Sequence, residues 1–354
     1  MSTSNSTPTT ESEQPQVLEL GAGPGGLVAR LRATIARRTE GRAIVLFVLV
    51  VTAVAFIEPR ALTSYPVTLG RIALIGLVAL GLTAVILMGE LDLGVASTLA
   101  VSGVIMASFD SLVVGITVAL IGGLLIGIVN AFFVVIVGIN SFIATLGMLF
   151  FLRGAAFVIS GERPVRVTNA DAALEFGRPL IGPISPRIII FILVFIALHV
   201  FVTRVRVGRE FYAVGGNREA AYDAGIPVVR RVFTGFMISG FVSALAGVIN
   251  ALERTAADPT AGGTVLLASF AAAIIGGVLL NGGRGSIVGA LLGAATLGIL
   301  QISLTLSGVQ VDVQNIIIGS VLLLAVISDP ATVRRVLTKA SSFTKARSKP
   351  QPAG

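Results

Sequence analysis

Residues 187–231 read RIIIFILVFIALHVFVTRVRVGREFYAVGGNREAAYDAGIPVVRR, and this stretch decides the fold. Its first part is an apolar run over 187–203, close to the ~20 residues that cross a bilayer as a helix. Its second part is a polar island over 208–226, which holds charged side chains, paired glycines and a short helical pattern. The alternation predicts a membrane span that leads into a loop in water.

The rest of the chain repeats this pattern. Of its 354 residues, 55% are hydrophobic and 12% are charged, whereas a soluble domain carries about 25% charged residues. The sequence therefore predicts an all-α, polytopic integral membrane protein with about ten transmembrane helices, some of them broken or half-length. The expected spans are 42–58, 68–88, 94–110, 112–137, 141–160, 187–203, 229–251, 266–280, 286–307 and 312–328.

Basic residues gather in three clusters, over residues 30–42, 204–231 and 334–349. The positive-inside rule places all three clusters in the cytoplasm, together with both termini, and it leaves residues 161–187 outside. Membrane topology accounts for the charge, so no nucleic-acid partner is expected. The predicted organisation is a disordered N-terminal tail and linker (1–41), a transmembrane domain (42–328) with a cytoplasmic loop at 204–231, and a basic C-terminal tail (329–354).

Two polar, glycine-bearing breaks interrupt the apolar runs of the sequence. The first break, 89–94, carries Glu90 and Asp92, and the second break, 276–286, is a flexible, basic turn. Irregular backbone at membrane depth is tolerated only where it packs in protein or lines a cavity. An ionisable group at such a place is a candidate for the transport path. The alternative is that both acids cap the next helix at its N-terminus, where the helix dipole favours negative charge.

Further polar side chains lie in or beside the spans, and helix–helix bonding is the alternative role for each of them. The scarcity of charge along the spans favours a neutral solute. The candidate pathway residues are Glu90, Asp92, Ser97, Asn130, Phe142, Thr145, Asn250 and Asn281.

Catalytic chemistry is not expected. Lysine occurs only at 339, 345 and 349, and a phosphate-binding P-loop needs a lysine directly after its glycines. His199 is the single histidine and lies in an apolar run, so no histidine metal cluster can form, and a residue near a helix end is the expected role. The sequence predicts no catalytic site, no metal site and no cofactor bound by this chain.

Four stretches resemble one family in order along the chain. ALGLT (79–83) with GELDL (89–93) resembles ALGMT…GGIDL, and NSFIATLG (140–147) with LRG (152–154) resembles PFIATLG…LRG. The island resembles GR…YAIGGN…AA…GI, and residues 275–289 resemble IGG…GGRG…G. The chain thus resembles the permease subunits of bacterial ABC importers for ribose and other monosaccharides, in the branched-chain amino acid/ribose permease superfamily.

The resemblance implies an importer subunit in the bacterial cytoplasmic (inner) membrane. Such permeases pair with a second permease copy or homologue, receive solute from an extracytoplasmic binding protein, and dock cytoplasmic ABC ATPase subunits, which use ATP and Mg. The island corresponds to the loop that couples the ATPase to the spans. The residues implied in this ATPase-coupling loop are Arg209, Gly215, Gly216, Asn217, Glu219, Ala220, Ala221, Gly225 and Ile226.

The chain also departs from the family pattern. Glu90 stands where the family usually has glycine, Gly94 where it has serine, and residues 266–268 replace an acidic E-L-D stretch. These positions lie near the expected path, so the solute stays open between monosaccharides, nucleosides and branched-chain amino acids. A proton- or sodium-coupled secondary transporter that uses Glu90 and Asp92 is the remaining alternative.

Overall fold

The computed structural model describes residues 40–182 and 184–327. The predicted N-terminal tail (1–41), apart from its last two residues, and the predicted C-terminal tail (329–354) lie outside the described residues. The predicted boundaries of the two tails and of the transmembrane domain between them (42–328) therefore stay predictions.

Within the described ranges nearly every element is a helix. The helices are α1 (Gly41–Ile57), α2 (Arg60–Thr63), α3 (Tyr65–Ile86), α4 (Val95–Ala107), α5 (Leu112–Ala131), α6 (Ser141–Ser160), α7 (Ala170–Gly177), α8 (Pro186–Arg204), α9 (Arg206–Gly216), α10 (Arg218–Asp223), α11 (Val228–Arg254), α12 (Gly263–Ile275), α13 (Ile287–Leu306) and α14 (Val311–Ile327). A π-helical turn, Phe132–Ile136, continues α5. Two short strands, β1 (Val165–Arg166) and β2 (Ala256–Ala257), pair antiparallel.

Six of these helices are long and apolar enough to cross a membrane: α3, α5 with its π-helical turn, α6, α8, α11 and α13. Four more are apolar but shorter: α1, α4, α12 and α14. Each predicted span overlaps one of the ten. With 13 residues each, α4 and α12 extend only about 20 Å, less than the ~30 Å hydrocarbon core. The prediction of a polytopic, all-α chain with half-length helices is confirmed.

Helix α3 forms the centre of the bundle because it is apolar on every side, and such a helix must be buried. Every residue from Ile72 to Ile86 is buried. Around it pack α8, α11, α12 and α13. Beyond these, α11 contacts α4 and α5, while α6 packs on α4, α1 on α13 and α14 on α12.

Small residues let α5 and α11 approach closely, as is usual for helices that pack in lipid. A Cβ added at Gly123 would overlap Ala244 and the Gly240 carbonyl, and one at Gly127 would overlap the Phe236 carbonyl. The same methyl at Gly122, one residue earlier, would meet open space.

Left-handed glycines produce both breaks. Gly89, at φ +79°, ends the path of α3. In the second break Gly277, Gly282 and Gly283 have φ values of +88°, +79° and +72°. A side chain disfavours this backbone region, whereas glycine adopts it freely. The helices therefore stop here, and the polar residues of each break are presented in a turn.

Candidate functional site

The two breaks meet each other at one end of the bundle. The Gly283 amide donates a hydrogen bond of 2.9 Å to the carbonyl of Leu87, the C-cap residue of α3. A Cβ at Gly89 would lie 3.2 Å from the Asn281 carbonyl oxygen. Backbone thus packs on backbone, so a displacement of either break is passed directly to the other.

The island, formed largely by α9 and α10, is seated on this junction. A Cβ at Gly215 would overlap the Leu87 carbonyl and the Gly283 amide, one from each side of the junction. The Tyr212 hydroxyl also lies 3.3 Å from the Gly285 carbonyl, to which it donates a hydrogen bond. We call the place where the island meets both breaks, centred on Leu87, Gly215 and Gly283, the island junction.

An ion pair locks the island to the first break. Arg218 Nη1 donates to Glu90 Oε1 at 2.7 Å, and the Glu90 side chain is 8% exposed while that of Arg218 is 49% exposed. A buried carboxylate needs such a partner, because an unpaired charge away from water is costly. The structure therefore places Glu90 against the island, where its carboxylate holds the loop.

A second carboxylate, Glu210, ties α9 to the start of α11. Arg206 Nε donates to Glu210 Oε1 at 2.8 Å, and Arg231 Nε donates to Oε2. These hydrogen bonds, with Arg231 the larger contributor, hold the pKa of Glu210 below its usual range. Glu210 stays ionised at neutral pH and fixes α9 to the start of α11.

The island turns one face outward. The side-chain amide oxygen of Asn217 caps α10 by accepting from the Ala220 amide at 3.0 Å. Gly225, at φ +77°, ends this short helix in a left-handed turn. Ala221 is buried, whereas Tyr222 is 72% exposed. The predicted coupling residues that lie exposed are Arg209, Gly216, Asn217, Glu219, Ala220 and Gly225, while Gly215 and Ile226 are half-buried.

Sequence reasoning missed Tyr222, Arg218 and Glu210 as parts of this site. An exposed aromatic ring in a charged loop was the available signal for Tyr222. Glu210 has one partner at i,i+4 spacing, Arg206, which the sequence could have indicated. Its other partner, Arg231, and the partner of Arg218, Glu90, lie on other segments, so no local spacing reveals them.

Asp92 is the hub of a buried polar cluster. It is 1% exposed, and it accepts hydrogen bonds from Ser239 Oγ at 2.7 Å, the Gly94 amide at 3.1 Å and Asn130 Nδ2 at 3.3 Å. These donors come from α11, the first break and α5. Gly94 is the N-cap residue of α4, and no side-chain hydrogen bond caps this helix, so the choice between transport and capping for Asp92 stays a prediction.

Helix α6 supports the same break. Thr145 Oγ1 accepts from the Leu93 amide at 3.1 Å, and Ser141 Oγ accepts from the Leu91 amide at 3.1 Å. Ser97 donates to the Leu149 carbonyl at 2.7 Å. The break is therefore an ordered turn whose backbone polar groups are satisfied by side chains.

The predicted pathway residues do not gather in one place. Asp92, Ser97, Asn130 and Thr145 lie in or beside the Asp92 cluster, whereas Glu90 and Asn281 lie at the island junction. Phe142 is 46% exposed on the surface of α6. Asn250 lies near the far end of α11, about 33 Å along the helix from its start.

Around Asn250 the far end of the bundle holds a polar chamber of about 530 Å³. It lies between α3, α11, α12, α13 and α14. Asn250 and Gln301 are buried at its base, and exposed residues such as Glu253 and Gln310 form its rim. The polar residues that line the chamber are Arg71, Asn250, Glu253, Arg254, Thr264, Gln301, Thr305, Gln310, Gln314 and Asn315.

Arg71 is the residue of this chamber that sequence reasoning missed. It lies within the apolar run 68–88, and a charged residue inside a span is a functional signal by default. Its Nε donates to Gln301 Oε1 at 2.6 Å, across 230 residues of sequence.

Broken helices, a docked polar loop and a polar chamber inside an apolar bundle define the class: a transporter domain, because discontinuous helices in membranes typically serve solute binding and movement. Over residues 67–326 the chain matches the family described as branched-chain amino acid transport system / permease component, and it belongs to this family. It is thus a multi-pass permease component of the inner membrane, without catalytic activity of its own.

Three relatives have similar lengths. The ribose import permease protein RbsC of Escherichia coli is 39% identical over 262 residues, which cover 72% of this chain and 81% of the relative. The L-arabinose ABC transporter permease protein AraH of Azospirillum brasilense is 34% identical, covering 77% and 81%. The D-allose transport system permease protein AlsC of Escherichia coli is 34% identical, covering 72% and 79%. No solved structure matches the chain.

Proposed function

We propose that the chain forms the membrane path of an ABC importer for a monosaccharide, with the island as the point through which an ATPase moves both breaks. The observation that carries this proposal is the seating of the island on both breaks through Gly215 and the Arg218–Glu90 pair. A loop that touched neither break could not pass a rigid-body motion to them.

In this mechanism the ATPase contacts the outward face of the island, around Glu219, Ala220 and Tyr222. The ATPase binds ATP and Mg, and this chain binds neither. A movement of the ATPase reaches Leu87 and Gly283 together, because these two residues are joined by a backbone hydrogen bond. The half-length helices next to the breaks, α4 after the first and α12 before the second, then move as rigid units.

The remaining partners follow from the same scheme. A second permease copy or homologue completes the path, and an extracytoplasmic binding protein delivers the solute at the end opposite the island. The basic residues of the loop 204–231 favour the cytoplasm for the island, and both termini lie on that side under the positive-inside rule.

The solute is a monosaccharide in this proposal because the three relatives are permeases whose names specify ribose, L-arabinose and D-allose. Branched-chain amino acids are the second candidate, since the description of the matched family names them. Both candidates are tested by one panel of labelled solutes.

The test is reconstitution of the permease with its ATPase and binding protein in proteoliposomes. We expect ATP-dependent uptake of an aldose and none of leucine. Uptake of leucine alone would overturn the choice of solute, and uptake driven by a proton gradient without ATP would overturn the importer scheme.

Charge reversal tests the docking face. Glu219→Arg should weaken binding of the ATPase and reduce uptake, because it alters an exposed residue in the first turn of α10. Asp171→Arg is the matched control, since Asp171 is an exposed acid in the first turn of α7. Equal uptake and ATPase binding in the two variants would contradict the role of the island.

A further inference from the structure

We infer that the polar chamber at the far end is a binding station for a neutral, polyhydroxylated solute, with Arg71 as its principal hydrogen-bond donor. The inference rests on the proposed function and adds to it the place and the residues of solute contact. The volume of about 530 Å³ falls in the range of small-molecule sites, about 300–1,000 Å³.

The chamber lies where a solute would bind before it reaches the two breaks. Arg71 lies in the first turns of α3, and Leu87 ends that helix at the island junction about 24 Å away. Asn250 lies at the corresponding end of α11. A solute held here has the Asp92 cluster and both breaks still ahead of it, at the end where the island acts.

Arg71 has hydrogen-bonding capacity to offer. A guanidinium carries five N–H donors, and among the described residues Arg71 makes one recorded hydrogen bond, from Nε to Gln301 Oε1. That bond aligns the plane of the guanidinium and leaves the two Nη groups for other acceptors. In an apolar bundle such donors need acceptors, and the hydroxyl oxygens of a sugar can accept hydrogen bonds from them.

Charged groups of both signs surround the chamber. The chamber and a side cavity of about 180 Å³ beside it are lined by two guanidinium groups, Arg71 and Arg254, and two carboxylates, Glu253 and Asp258. A third guanidinium, Arg187, pairs with Glu253 and lies against Gly70 of α3, so the net charge of the group is +1. A charged solute of either sign would approach a like charge here, whereas a neutral one would not.

The lining also suits release. Among the described lining residues none is aromatic, so a solute would meet hydrogen-bonding groups and aliphatic side chains such as Val67 and Leu74, with no ring to stack on. Hydrogen bonds to these groups replace hydrogen bonds to water, so the net gain of each is small. Binding is therefore weak, and a solute can pass on when the breaks move.

Cysteine labelling tests the site directly, because the native chain has no cysteine. Thr305→Cys puts a thiol at the exposed rim of the chamber, and Thr168→Cys puts one at an exposed position outside the chamber lining as the control. The full chain in detergent is labelled with a maleimide, with or without about 100 mM D-ribose, L-arabinose, D-allose or L-leucine. A site with Kd near 10 mM slows labelling roughly tenfold.

We expect at least one aldose to slow labelling at Thr305→Cys and to leave Thr168→Cys unchanged. If all three aldoses are transported by the reconstituted importer and none protects Thr305→Cys, the chamber is not a solute site, although the proposed importer function still holds. If leucine protects instead, the choice of a sugar is wrong while the chamber stands as the site.

Arg71→Met provides a second measurement. It keeps an unbranched apolar stem and removes the guanidinium donors, so sugar uptake should fall at least tenfold while ATP hydrolysis stimulated by the binding protein persists. Arg178→Met, at an exposed arginine outside the chamber, is the control. Uptake by Arg71→Met equal to that of the control would overturn the role of Arg71.

Discussion

Replacing Gly215 with alanine tests whether the island must sit against both breaks. The added methyl would overlap the Leu87 carbonyl and the Gly283 amide. Both are backbone atoms, so neither can rotate away as a side chain could. Gly216→Ala adds the same methyl one residue later, where nothing lies within 4 Å.

The two substitutions share one energetic term and differ in another. Alanine is preferred to glycine in a helix by about 1 kcal/mol, and this gain is similar for both positions at the end of α9. Overpacking costs about 1–3 kcal/mol at Gly215 alone. The ratio of docked to undocked island should therefore be lower in Gly215→Ala than in Gly216→Ala by about 5- to 150-fold.

Hydrogen exchange of the island amides in the purified permease measures the docking, and uptake in proteoliposomes measures its consequence. We expect faster exchange across α10 in Gly215→Ala than in Gly216→Ala, and a loss of ATP-driven uptake. Gly154→Ala serves as the uptake control, because a methyl there also meets open space. Exchange and uptake in Gly215→Ala that match those of the comparison variants would refute the reasoning.

Three further predictions concern the packing and charge of the same bundle. Asp92→Ala should lower the thermal midpoint more than Asp92→Asn, since alanine leaves three donors without an acceptor at about 1–3 kcal/mol each; equal midpoints would contradict the hub. Glu210 has a lowered pKa, so its contribution to docking is full above the unfolded glutamate value of about 4.3 and is lost as pH falls through the lower folded value. Island protection factors should thus hold from about pH 8 to 6 and decline only below about pH 4, and Glu210→Gln should make that decline smaller. Gly123→Ala should destabilise by about 1–3 kcal/mol through overlap with α11, whereas Gly122→Ala should not; a thermal midpoint that is the same for both would refute the close packing.

The helical spans and their interruptions were predictable because they depend on local chemistry. Backbone groups in lipid must bond within their own helix, so runs of about 20 apolar residues predict spans directly. Glycines followed by acids or by a basic turn predicted where α3 and α12 end. The island was visible as the charged segment that no bilayer core would accept.

Contacts between distant segments were beyond the sequence. Arg218 and Glu90 lie 128 residues apart, and Arg71 and Gln301 lie 230 residues apart, so no periodicity relates them. The sequence left Asp92 open between transport and capping, because either role needs an acid at a break. Two of its three donors, Ser239 and Asn130, come from helices that only packing brings to it.

The sequence by itself thus determined the class of fold, the order of the spans and the positions of the breaks and the island, because the bilayer constrains each helix separately. Only the tertiary structure decided that the island rests on both breaks at one end and that Arg71 faces a chamber at the other. The physical reason is that helix packing in lipid depends on the close fit of small residues such as Gly123 and Gly240. The fit depends on two helix surfaces at once, and each segment of sequence contributes only one of these surfaces.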